Sequence, residues 1–124
     1  MAGTVTAVEI RHAPVKQVAW DWLGSAGGAA DDTTDDVGGY SGNLVEVRII
    51  PDGGGTAPDD LYDVIVTDGD GYDLLNGLGM NMSITNTIVL LEDVLGSVVS
   101  SQLTLGVTNS GNANGGIVIV KVRP

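Results

Sequence analysis

The sequence predicts an all-β protein: one antiparallel β-sandwich domain, jelly-roll-like or a flattened barrel, with long loops rich in glycine and aspartate. Three observations carry this. The 124 residues include 19 glycines and no phenylalanine, while valine and threonine are common and strong helix formers sparse. Apolar residues recur with period two in several separate stretches, the mark of strands with one face in a core. Clusters of glycine, aspartate and asparagine stand between those stretches as turns.

The strands follow in order. Residues 4–11 form a first strand, with Val8 and Ile10 on one side. In residues 15–22, Val18, Trp20 and Trp22 share one face, and Gln17, Ala19 and Asp21 the other. In residues 44–50, Val45, Val47 and Ile49 alternate with Glu46 and Arg48. Tyr62, Val64 and Val66 alternate with Asp63, Ile65 and Thr67 in residues 61–67. Leu103, Leu105 and Val107 alternate with Thr104, Gly106 and Thr108 in residues 102–108. Residues 117–122 are nearly continuously apolar, so they read as a central strand or one covered on both faces. Between residues 74 and 101 a strand around residues 88–91 followed by a loop is the favoured reading; a helical turn within residues 89–99 is the alternative.

The turns are equally explicit. Residues 51–55 make a loop, and residues 68–71 (Asp-Gly-Asp-Gly) a tight hairpin signal. Residues 109–116 read as a longer hairpin loop between the last two strands. Residues 24–42 form an acidic connection, expected to be mobile unless a partner orders it. Residues 1–8 are a candidate N-terminal arm. One domain accommodates the whole chain, and at this length roughly two-thirds of the unfolded surface can be buried.

Charge and composition narrow the function. Sixteen acidic residues face five basic ones, for a formal charge of −11. That field repels nucleic-acid phosphates and anionic membrane surfaces, so neither is an expected partner. There is no cysteine, which removes disulfides, thiolate–metal sites and thiol nucleophiles. Residues 1–10 have neither a basic start nor a long apolar run, so no signal peptide is expected. No apolar run approaches the ~20 residues of a membrane span.

The candidate chemistry is thin, and no catalytic residues, enzyme activity or cofactor are expected. His12 is the one histidine, and a base needs an orienting partner. No Gly-x-Ser-x-Gly elbow or phosphate-binding glycine pattern appears. Asp68, Asp70 and Asp73 are calcium candidates, with hard oxygen ligands at close spacing around glycine. The same letters build a hairpin turn, and the turn reading is preferred. Asp31, Asp32, Asp35 and Asp36 form a second acidic cluster: a solvated loop, or a contact with a basic patch on a neighbouring subunit. Trp20 and Trp22 are either a sugar-stacking pair or, as preferred, the bulk of a core without phenylalanine.

An ordered series of segments adds a resemblance. Val18-Ala-Trp-Asp-Trp22, Ser41-Gly-Asn-Leu44 and Ile49-Ile-Pro51 are followed by Ala57-Pro-Asp-Asp-Leu-Tyr-Asp-Val64, Thr67-Asp-Gly-Asp-Gly71 and Asp73-Leu-Leu-Asn-Gly77. Leu103-Thr-Leu-Gly-Val-Thr-Asn109 and Gly115-Gly-Ile-Val-Ile-Val120 close the series. In order and spacing the chain resembles small tailed-phage virion structural proteins. The resemblance implies a particle component assembled in the host cytoplasm and does not separate head from tail; the leading expectation is a capsid decoration or cement protein on the major capsid protein. A tail or neck adaptor or fibre-associated subunit is the alternative, and a carbohydrate-binding module, calcium-dependent or not, the alternative of another class. Self-association is expected, because such parts assemble symmetrically. The candidate contact residues are Asp31, Asp32, Asp35 and Asp36, with Val5 and Val8 in a segment able to add a strand to a neighbour's sheet.

Overall fold

A computed structural model describes residues 3–12, 15–33, 42–69, 71–82, 86–95, 98–99, 102–111 and 113–123. The protein is nearly all β, a sandwich of two antiparallel sheets. The strands are β1 (Thr4–His12), β2 (Val15–Leu23), β3 (Ala30–Thr33), β4 (Gly42–Pro51), β5 (Asp63–Thr67), β6 (Ile88–Leu91), β7 (Val98–Val99), β8 (Thr104–Thr108) and β9 (Gly115–Arg123). The larger sheet, A, runs β1-β2-β9-β4-β6, with β7 also on β4; the smaller, B, runs β3-β8-β5.

The predicted periodicity places the core between the sheets. Val18, Trp20 and Trp22 from β2, Val47 and Ile49 from β4, and Val118, Val120 and Val122 from β9 all point inward. Val64, Val66, Leu105 and Val107 meet them from sheet B in one cluster. The nearly continuous apolar run in β9 is central, between β2 and β4, as its composition required.

Several expectations need correcting. A β-bulge between Leu44 and Glu46 shifts the β4 register. Leu44 therefore enters the core and Val45 does not; strict alternation cannot anticipate an inserted residue. The fifth strand begins at Asp63 rather than residue 61, because Leu61 adopts φ 65° in a region that L-residues avoid. Part of the acidic connection, residues 30–33, is strand β3, paired along β8. The strand expected over residues 4–11 is present as β1, paired along its whole length with β2, so the candidate arm is joined to the sheet from Thr4 onward. After β6 comes one helical turn, α1 (Glu92–Leu95), in place of the expected loop.

The last correction concerns residues 109–114. Strands β8 and β9 lie in different sheets, so this segment is a crossover between layers and not a hairpin loop. The β2–β3 and β4–β5 connections cross at the same end, and hydrogen bonds tie all three together. The Ser110 N–H and hydroxyl both donate to the Gly28 carbonyl (3.1 and 3.0 Å). The Ser110 carbonyl accepts from the Asp59 N–H (2.8 Å) and from Asn114 Nδ2 (3.0 Å). The Gly24 N–H donates to the Asn114 carbonyl (2.8 Å). Gly28 is required there: its φ is +77°, and a Cβ would lie 2.7 Å from the Gly111 nitrogen.

Candidate interaction surface

The predicted site residues disperse. Asp31 is exposed on β3 opposite Gly106, and Asp32 is paired with Leu105 in backbone register. Asp35, Asp36 and Asp70 lie outside the described residues. Val5 is half-buried in β1 beside β2, while Val8 is exposed. His12 ends β1, paired with Val15.

The two other calcium candidates sit in a turn. The Gly71 N–H donates to the Asp68 carbonyl (3.0 Å), and Asp68 is buried. Asp73 accepts at both carboxylate oxygens, from the Leu75 N–H (3.1 Å) and the Gly77 N–H (2.9 Å). Those bonds cap the backbone that folds back beside β5. Among the described residues no group of three or more histidine, aspartate or glutamate side chains is placed to hold a metal.

Sequence reasoning missed the role of Asp63. It is buried, and its two oxygens accept from the Asn81 N–H (2.9 Å) and from Asn109 Nδ2 (2.7 Å). Both asparagines have positive φ. A carboxylate between two left-handed turns ties the segment beyond β5 to the end of β8. Only the excess of asparagine in these turns hinted at it.

The tryptophans are core. Trp20 and Trp22 are 0% and 2% exposed, so neither ring offers a face to a sugar. Trp22 packs on Tyr62 with ring centroids 5.9 Å apart, joining sheet A to the segment that enters β5. Burial pushes the Tyr62 phenol up to about 12.

The unusual surface is the outer face of sheet A. Register places Val8, Ala19, Ile119, Arg48 and Val89 in one row across five strands. Beside it lie Ile10, Gln17, Lys121, Glu46 and Leu91, and on the other side Thr6, Asp21, Ile117 and Ile50. Val8, Ile10, Val89 and Leu91 are all exposed. Five strands about 4.8 Å apart and five residues rising about 3.4 Å each give the whole face roughly 400 Å², shared between these apolar side chains and Thr6, Gln17, Asp21, Glu46, Arg48 and Lys121.

Charge sets this face apart too. Arg48 and Lys121 bracket Glu46: the Arg48 Nε–H donates to its Oε1, and Lys121 Nζ lies 3.6 Å from its Oε2. Arg123, at the end of β9, lies 3.8 Å from Glu92. Three of the five cations thus lie on or beside this face, balanced there by Asp21, Glu46 and Glu92. Among the described residues, most of the acidic ones lie elsewhere. Comparison with protein-family models, curated proteins and solved structures finds no match to this chain.

Proposed function

We propose that the chain is a structural subunit of a virus particle, a decoration or cement protein that lays the outer face of sheet A on the major capsid shell. The observation carrying this reading is the division of the surface: an acidic body with one face that gathers exposed apolar side chains and balances its charges. An acidic body limits unwanted association. The apolar rows supply burial, and Arg48 and Lys121 supply polar direction at the rim of the contact. Many modest contacts, repeated over a symmetric shell, add up to tight attachment. The resemblance to small tailed-phage virion proteins points the same way.

The test is co-sedimentation of tagged protein with assembled particles, in a copy number set by particle symmetry. Ile119→Lys, at the centre of the face, should leave the protein folded and abolish attachment. Protein that stays in the supernatant beside intact particles overturns the reading. Attachment confined to isolated tails moves the subunit off the head.

A further inference from the structure

We propose that strand β1 is a self-complementary edge through which two copies of this chain join sheet A to sheet A. This concerns a second copy of the chain and does not rest on the particle reading. An edge strand offers a row of N–H and C=O groups to any strand that can approach, and folded proteins usually blunt such rows. Among the described residues, three of the four sheet edges are blunted. Beside β5 runs the segment 73–82, which takes up its outward groups: the Val64 N–H donates to the Gly79 carbonyl (2.7 Å), and the Leu74 N–H to the Val66 carbonyl (2.7 Å). Strand β3 is four residues long and carries Asp31 and Asp32. Strand β6 is also four residues long and runs directly into Glu92 and Asp93.

Strand β1 differs in length and charge. It has nine residues, is the terminal strand of sheet A, and is exposed from Thr6 to Arg11. It holds one acid, Glu9, and one arginine, Arg11. In a molecule of charge −11, this is the edge where two copies meet the least repulsion.

The sequence of β1 also selects a register. Antiparallel pairing about a two-fold axis at Val8 matches all nine residues, Thr4 to His12 of the second copy. Val8 then faces Val8, Ile10 faces Thr6, and Glu9 faces Ala7, with no like charges opposite. An axis at Glu9 would set two carboxylates against each other. An axis at Ile10 would pair only residues 8–12. The Val8 register keeps every outer-face residue on the outer face, so the apolar row of sheet A continues from one copy into the next.

Engineered cysteine tests the register, because the chain has none of its own. Cβ atoms directly opposite in an antiparallel pair lie about 5 Å apart, within reach of a disulfide once the strands adjust. Under mild oxidation Val8→Cys should give a covalent dimer. Thr6→Cys should not, since its counterpart lies four residues, about 13 Å, along the strand. By sedimentation equilibrium the unmodified chain should approach twice the monomer mass with rising concentration, and Val8→Lys should raise the dimer dissociation constant about tenfold or more. Ile119→Lys should leave it unchanged. A monomer at all concentrations, or a dimer lost with Ile119→Lys and kept with Val8→Lys, overturns the proposal. If Val8→Lys misfolds, cross-linking of Val8→Cys decides alone: no covalent dimer means no such edge contact.

Discussion

The two sheets share one core but turn different faces outward. The outer face of sheet B carries Thr67, Thr104 and Thr108, Gly106 and Asp31, with Ile65 its one exposed large apolar side chain among the described residues. That is an ordinary solvated face of short strands. The outer face of sheet A carries Val8, Ile10, Val89 and Leu91 exposed, with Ile50, Ile117 and Ile119 half-buried between them. Burial inside the domain explains neither set, since both point away from the core. What separates the two faces is therefore the side chains that strand register gathers on the outside, not packing in the core.

The strongest test of the comparison strikes the core that the sheets share. Trp20→Ala should cost about 3–5 kcal/mol, because deleting the ring leaves a cavity between the layers. Hydrogen exchange should quicken equally in β2 and β8; loss confined to sheet A would mean that the sheets are separate cooperative units.

Alkaline pH probes the same seam. The Tyr62 phenol is raised to about 12 from an ordinary 10.0 by burial, so folding favours its protonated form. Its contribution is complete below pH 10. Above that the unfolded chain releases the proton first; about 2 kcal/mol is lost by pH 12, and the full loss of about 3 kcal/mol is approached only beyond it. Denaturant midpoints should fall across that window, and Tyr62→Phe should flatten this part of the decline.

Asp63→Ala should cost about 1–3 kcal/mol by stranding the Asn81 N–H and the Asn109 amide. The loss should appear first as faster exchange in the segment covering the β5 edge of sheet B. Leu61→Gly should change stability the other way, by up to about 1 kcal/mol, since a left-handed φ of 65° costs leucine but not glycine. A raised melting temperature would confirm that strain.

The smallest stability effects separate the outer faces most sharply. Val89→Lys on sheet A and Ile65→Lys on sheet B should each shift stability by only about 0.5 kcal/mol. Only Val89→Lys should reduce attachment to particles. Equal effects from both would erase the distinction between the faces.

Much of the fold was legible along the chain, because a period-two pattern writes the core face directly into the sequence. Val18, Trp20 and Trp22 could be assigned to one side before any strand had a neighbour, and β9 could be placed centrally from its composition. The failures are also physical. A bulge at Val45 breaks the count, and Leu61 enters a backbone region that leucine normally avoids. The segment 109–114 has the letters of a hairpin whichever sheet receives the next strand.

The interaction surface was less legible. The acidic residues that stood out as letters disperse, and Asp63 and Asp73 serve the backbone with both oxygens. The outer face of sheet A appears only when register brings Val8, Ala19, Ile119 and Val89 from four strands into one row. By itself, then, the sequence determined the fold class, the faces of its strands and the acidity of the whole, since these depend on local alternation and composition. Tertiary structure alone decided which strands lie side by side, which edges are covered and where charge is missing. Those are sums over residues far apart in the chain, which local chemistry does not encode.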